Sequence, residues 1–286
     1  MNYLTASLAL KAASLSPQTR AAYHFLARLK SKRRPFQKTH VDWLLSSLPN
    51  TPMKILELGT GWTSTYGIIP SLARQDCKFV CFDVKDIRHT CSKFKESLNY
   101  NISEYFSNEG RDSEISKKIV RAISKDNIDD IYSEFGVDYC VNEEGVPPYR
   151  DGEFDVIYSF DVLEHIPADA FSRIAKKWYD ILRPGGRFMA RVSLCDHTSY
   201  WADRSIDKRY LGYSQSVWRN ILENDVQYIN RLSASQIVEI IEDVGFVTLE
   251  KSAEQIVGDF RVHPSYKWQS DTDLRALSLL YIGKKP

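Results

Sequence analysis

Lys54-Ile55-Leu56-Glu57-Leu58-Gly59-Thr60-Gly61 is the stretch on which the reading of this chain turns. Residues 54–58 make a short apolar run, the pattern of a parallel strand buried on both faces. The glycines after it predict a tight turn into a helix over 64–74. Lys78-Phe79-Val80-Cys81-Phe82-Asp83 is a second apolar run that ends on a carboxylate. Residues 54–83 therefore read as a strand–helix–strand unit.

Outward from this unit the alternation continues. Strands are expected at Gly136–Val141, Phe154–Phe160, Arg187–Val192, Phe246–Glu250 and Leu277–Ile282. A helix is expected from Ala168 to Ile181, stopped by Arg183-Pro184-Gly185-Gly186. Ser233 is placed to cap another, running to Asp243 and ended by Gly245. Upstream, residues 3–31 read as helical, with Ser16-Pro17 as cap and first-turn proline. A further helix, Lys38 to Leu48, stops at Pro49. The polar stretch 86–136 is longer than one crossover needs and reads as a helical insertion over one end of the sheet, with helices near 88–98 and 113–124. The fold class expected is α/β: a doubly wound, mostly parallel sheet with an antiparallel C-terminal strand, plus N-terminal helices and the helical insertion. Three regions follow: an N-terminal helical cap (1–50), a ligand-binding core (51–193), and an aromatic segment that faces substrate and completes the sheet (194–286).

Composition narrows the function. The 286 residues carry 38 Lys+Arg against 37 Asp+Glu, a net charge of +1, which argues against a dedicated nucleic-acid binder. No apolar run is long enough for a membrane helix, and Met1 to Ala13 lacks a basic leader region, so a cytoplasmic protein without membrane association is expected. The five cysteines contain no Cys-x-x-Cys pair and the six histidines do not cluster at ligand spacing, so reduced thiols and no metal are expected.

The glycine turn needs glycine because the backbone must approach a ligand closely. Asp83 lies where an acidic side chain can take both hydroxyls of a ribose. Together they point to an adenosine-containing ligand. A dinucleotide site calls for a third glycine at position 64, where this chain has Ser64, and Glu57 repels a pyrophosphate while suiting the ammonium of a methionine moiety.

With Glu57-Leu58-Gly59-Thr60-Gly61, Asp83, Phe154-Asp155-Val156-Ile157-Tyr158-Ser159-Phe160-Asp161-Val162-Leu163-Glu164-His165-Ile166 and Leu182-Arg183-Pro184-Gly185-Gly186 in this order, the chain resembles the class I S-adenosylmethionine-dependent methyltransferases, closely over 53–193 and more loosely over 194–286. The resemblance implies a Rossmann-like methyltransferase fold with S-adenosyl-L-methionine as cofactor. Glu57, Gly59, Thr60 and Gly61 would line its methionine and ribose part, and Asp83 would hold the ribose hydroxyls. Asn142 or Glu143 would receive the adenine amino group, and Ser159, Phe160 and Asp161 would lie under the sulfonium.

The acceptor is less defined. A hydroxyl acceptor benefits from a base, and Asp196-His197, just beyond the Arg187–Val192 strand, pairs an imidazole with a carboxylate. His197 reads either as base or substrate ligand, or as a loop residue held by structural bonds. His165 reads as a helix-capping and packing residue or as a further catalytic group. Tyr200, Trp201, Tyr210, Tyr213, Trp218 and Tyr228 suit a sugar or aromatic ring, or else pack on one another. Arg28, Lys30, Lys32, Arg33, Arg34 and Lys38 form either a solvated helix end or a contact for an anion. O-methylation of a small polar molecule is expected. The alternatives are N-methylation of a small molecule, protein or RNA, and a silent cofactor-binding scaffold.

Overall fold

The apolar runs become the strands of one sheet. The computed structural model describes residues 2–30, 36–106, 113–201 and 208–286; among them the sheet has seven strands, in the order β3-β2-β1-β4-β5-β7-β6. These are β1 (Lys54–Leu58), β2 (Lys78–Asp83), β3 (Val137–Val141), β4 (Phe154–Phe160), β5 (Leu182–Ser193), β6 (Val247–Gln255) and β7 (Ala276–Lys284). The first five run parallel, while β7 is antiparallel to both β5 and β6. Strand order reverses between β1 and β4. A cleft opens at such a switch point beyond the carboxyl ends of the strands, where ligands of open α/β sheets bind.

Helices cover both faces. On one, α3 (Lys38–Ser47), α4 (Thr65–Ala73), α5 (Cys91–Tyr105), α6 (Ser113–Ile123) and α7 (Ile128–Phe135) share a core with Ile55, Phe79, Val156 and Tyr158. On the other, α8 (Ala168–Ile181) and α10 (Ala234–Asp243) pack on Leu56, Val80, Ile157 and Phe188. Helices α5, α6 and α7 thus line a face of the sheet instead of covering its end. They include one helix more than expected, α7, whose eight residues are too few to show a clear period.

The ends of elements follow their chemistry. Ser16 accepts from the Thr19 N–H, so α1 (Tyr3–Ala13) and α2 (Pro17–Lys30) are two helices and not one. Ser233 and Gln236 form a reciprocal capping box on α10. The expected stop at 183–186 is instead the start of β5: the pairing slips between Phe154 and Val156, Gly185 takes φ +80°, and both glycines pair with Lys285. It is a bulge in the strand, which glycine permits. Strand β6 runs five residues past the expected end.

The remaining elements build a cap. Helix α9 (Gln215–Val217), the π turn Trp218–Leu222 and α11 (Asp271–Arg275) belong to it. Tyr210, Trp218, Leu222 and Tyr266 form its separate core, and Tyr3 of α1 is part of that core. Of the aromatic segment, Tyr210 and Trp218 are buried in this core, whereas Trp201 is exposed. Of the basic stretch, residues 32–34 and the side chains of Arg28 and Lys30 lie outside the described residues; Lys38 starts α3 and donates to the Tyr105 carbonyl. No helix among the described residues is long and apolar enough to cross a membrane.

Candidate active site

The turn after β1 is held from both sides. Gly59 and Thr60 donate their N–H groups to the Phe82 carbonyl at the end of β2. Gly59 has φ +71°, and a Cβ there would lie 2.2 Å from Val162. Gly61 has φ +69°, but a Cβ there would meet nothing within 4 Å. The first glycine is thus required by packing, while the second faces open space in which a ligand can meet bare backbone. Asp83 closes this space. Its Oδ2 accepts from the Gly61 N–H at 3.0 Å and its Oδ1 from the Val84 N–H at 2.8 Å. Each oxygen keeps a lone pair for a ribose hydroxyl. Burial pushes the Asp83 carboxyl above its usual range.

Glu57 stands differently from its expected place on the ligand. Only 2% of it is exposed, and its Oε2 accepts from the Thr60 hydroxyl at 2.7 Å and the Cys81 thiol at 3.2 Å. A Cβ on Gly67 would come within 2.6 Å of the same oxygen. The carboxyl is locked under the glycine turn, supporting it from below, and burial pushes it up to about 7. Asn142 follows β3 beside Asp83, donating its N–H to the Asp83 carbonyl, and its side chain turns back to the Glu144 N–H. Glu143 is exposed next to it. Gly61, Asp83 and Asn142 thus converge on one end of the sheet and fit an adenosine-type ligand.

Strand β4 delivers the second half of the site. Ser159 is fully buried and its hydroxyl has no hydrogen-bond partner among the described residues. Phe160 stacks on the His40 ring at 5.2 Å, and Asp161, at φ +57°, forms an ion pair with Arg191. Among the described residues, the non-glycine positions with positive φ are Ser64, Asp161 and Arg231. The first two border the turns after β1 and β4, where strained backbone is held by its surroundings.

Immediately beyond, the fold assembles a cluster that no sequence spacing reveals. One ligating atom each from Glu164, His165 and His197 lie within 4.8 Å of one another. The first two sit on the 3-10 turn Leu163–His165 after β4, and His197 opens the 3-10 turn His197–Trp201 after β5. The His165 Nδ1 is 2.7 Å from the Tyr228 carbonyl. A carbonyl only accepts, so Nδ1 carries the proton and Nε2 the lone pair. Asn230 clamps this turn by donating to the Leu163 and Ile166 carbonyls from its side chain and to the Glu164 carbonyl from its N–H.

Asp196 does not serve as the partner of His197. Its Oδ2 accepts from the Tyr3 hydroxyl at 2.5 Å and the Tyr210 N–H at 3.0 Å, and its Oδ1 from the Thr198 N–H at 2.9 Å. The carboxylate is a staple that ties α1 to the cap, and the acid near His197 is Glu164 instead. Glu164, His40 and Arg191 are the site residues that sequence reasoning missed. The first was visible only as the neighbour of His165, and nothing in the pattern signalled the others.

A cleft of about 540 Å³ flanks Phe160 on the α3 side, lined by Gln37, His40, Trp43, Arg191, Ser252 and Glu254. It adjoins the end of β4 but not the glycine turn. Its size and polar lining suit a small polar molecule.

A family model described as a methyltransferase domain matches residues 30–251. No curated protein sequence matches the chain. Among solved structures, an S-adenosylmethionine-dependent methyltransferase from Methanosarcina mazei superposes with a TM-score of 0.50 at 13% identity, over 85% of this chain and 96% of that one. The 4+2 cyclase SpnF gives 0.50 at 12% identity, over 90% of this chain and 85% of that one. An S-adenosylmethionine-dependent methyltransferase from Mesorhizobium loti gives 0.45 at 14% identity, over 86% and 98%. At these identities the likeness to solved structures is one of fold.

Proposed function

From the premise that this chain belongs to the methyltransferase-domain family and is a class I S-adenosylmethionine-dependent methyltransferase, we propose that it methylates a hydroxyl of a small polar acceptor. When bound, S-adenosyl-L-methionine supplies a methyl group already electrophilic on its sulfonium, so the protein's task is alignment, exclusion of water and removal of one proton. Asp83 holds the ribose hydroxyls, Gly61 offers bare backbone, and Asn142 with Glu143 borders the adenine side. Ser159 and Asp161 end the strand nearest the reacting centre.

The observation that carries the hydroxyl reading is the pair of imidazoles at the ends of β4 and β5. A neutral amine or a thiol needs no base, whereas a hydroxyl gains from one. His197 is 7% exposed and its ring lies 4.9 Å from that of His165, so a proton taken by His197 has a second imidazole beside it, leading to solvent. His197→Ala is expected to lower turnover on a hydroxyl acceptor about 100-fold with affinity for S-adenosylhomocysteine kept. An equal loss of cofactor affinity would make His197 structural and remove the reading. A panel of hydroxyl and amine acceptors, assayed with the wild type and this variant, separates O- from N-methylation.

A further inference from the structure

We propose that Glu164, His165 and His197 bind a divalent transition-metal ion. The site stands on geometry alone; only the role of the ion rests on the hydroxyl-acceptor reading above.

The first argument is the cost of Glu164. Its side chain is 2% exposed, and neither carboxyl oxygen has a hydrogen-bond partner among the described residues. A buried, unpaired acid is among the more expensive groups a fold can hold, and an apolar residue of similar size would pack there without that cost. A cation among Glu164, His165 and His197 removes the penalty. The neighbouring charges do not remove it: Arg191 favours the carboxylate, but it is ion-paired with Asp161, whose own negative charge opposes it.

The second argument is the outer layer of the cluster. A ligating histidine ordinarily donates its other ring N–H to a carbonyl or carboxylate, which fixes tautomer and ring angle. His165 does this with the Tyr228 carbonyl, leaving Nε2 as the coordinating atom. Asn230 makes three bonds to the turn that carries Glu164 and His165. The donor atoms lie within 4.8 Å of one another, against the roughly 3.4 Å edge of a metal polyhedron.

Donor chemistry selects the ion. Two imidazoles and one carboxylate suit zinc, manganese or iron(II), whereas magnesium and calcium prefer all-oxygen sets. Three protein ligands leave positions open for water and for an acceptor hydroxyl. An exposed His165 provides the way in. With both imidazoles engaged on it, the ion takes the part given above to His197 as base: it lowers the pKa of the bound hydroxyl, whose proton leaves to solvent while the oxygen keeps its electron pair for the incoming methyl carbon.

The test is titration of the chelator-stripped full-length protein, free of cofactor and acceptor, with cobalt(II) and zinc(II), followed by visible absorption and calorimetry. One equivalent is expected to bind at micromolar affinity or better, with cobalt bands in the visible. Glu164→Gln and His197→Ala are each expected to weaken binding at least tenfold, with thermal stability and S-adenosylhomocysteine affinity retained. Absence of micromolar binding, or binding undiminished in both variants, overturns the site. Because binding is read without turnover, a protein that takes the metal yet methylates only amines would lose the hydroxyl reading and keep the site.

Discussion

Two carboxylates of the same strand–turn–strand unit do different work, and burial separates them. Asp83 retains lone pairs toward the open space above Gly61, so Asp83→Ala is expected to weaken S-adenosylhomocysteine binding by about 1.5–3 kcal/mol, the scale of a hydrogen bond to a charged group. Calorimetry decides this, and unchanged affinity would remove Asp83 from the ribose. Glu57 is enclosed, and burial raises it from 4.5 to about 7. A raised acid binds its proton more tightly in the folded state. Its contribution to stability is therefore full below pH 4.5 and is lost as pH climbs through 7. The loss is on the order of 3 kcal/mol. Glu57→Gln, which has no proton to lose, is expected to flatten the fall in melting temperature between pH 5 and pH 8. A wild-type slope in the variant would mean that Glu57 ionises freely.

The elements were legible where a local rule decides them. The apolar runs of β1, β2 and β4 and the caps at Ser16 and Ser233 stand where their patterns put them, because neighbours in sequence settle them. Helix α4 is less local. Pro70 inside it has no N–H for the Tyr66 carbonyl, and the Tyr158 hydroxyl of β4 donates to that carbonyl at 2.7 Å. No sequence period announces such a repair across the sheet. The glycine turn gives an element-level prediction. Gly59→Ala drives a Cβ to 2.2 Å from Val162, so it is expected to lower the melting temperature strongly. Gly61→Ala meets no atom and carries only the left-handed strain of about 1–2 kcal/mol, so its larger effect is expected on cofactor affinity. Thermal melts and S-adenosylhomocysteine titrations of the two variants test the division; equal loss of stability in both would refute it.

At the scale of the molecule, the parallel core could be read because each strand carries its own signal. The cap could not, because it is built from contacts between the two ends of the chain. Asp196 resembled a partner for His197 because the two are adjacent in sequence. Its oxygens instead go to Thr198, Tyr210 and Tyr3, the last 193 positions away. Likewise the basic run at 28–38 was legible as a charge pattern, while the Tyr105 carbonyl that Lys38 reaches lies 67 positions away. Tyr3 is 2% exposed, and burial beside the Asp196 charge keeps its hydroxyl protonated and donating. Tyr3→Phe leaves the apolar contacts of the ring in place and removes that one donor from a buried carboxylate, a loss of about 1–3 kcal/mol. The cap joins the sheet through loops and α1, so the damage is expected to stay there. Proteolysis within 208–231 should accelerate while S-adenosylhomocysteine affinity, set by residues of the core, stays within twofold. Unchanged proteolysis and melting would mean that α1 is held by its apolar face alone. A parallel fall in cofactor affinity would mean that the cap and the glycine turn open as one unit.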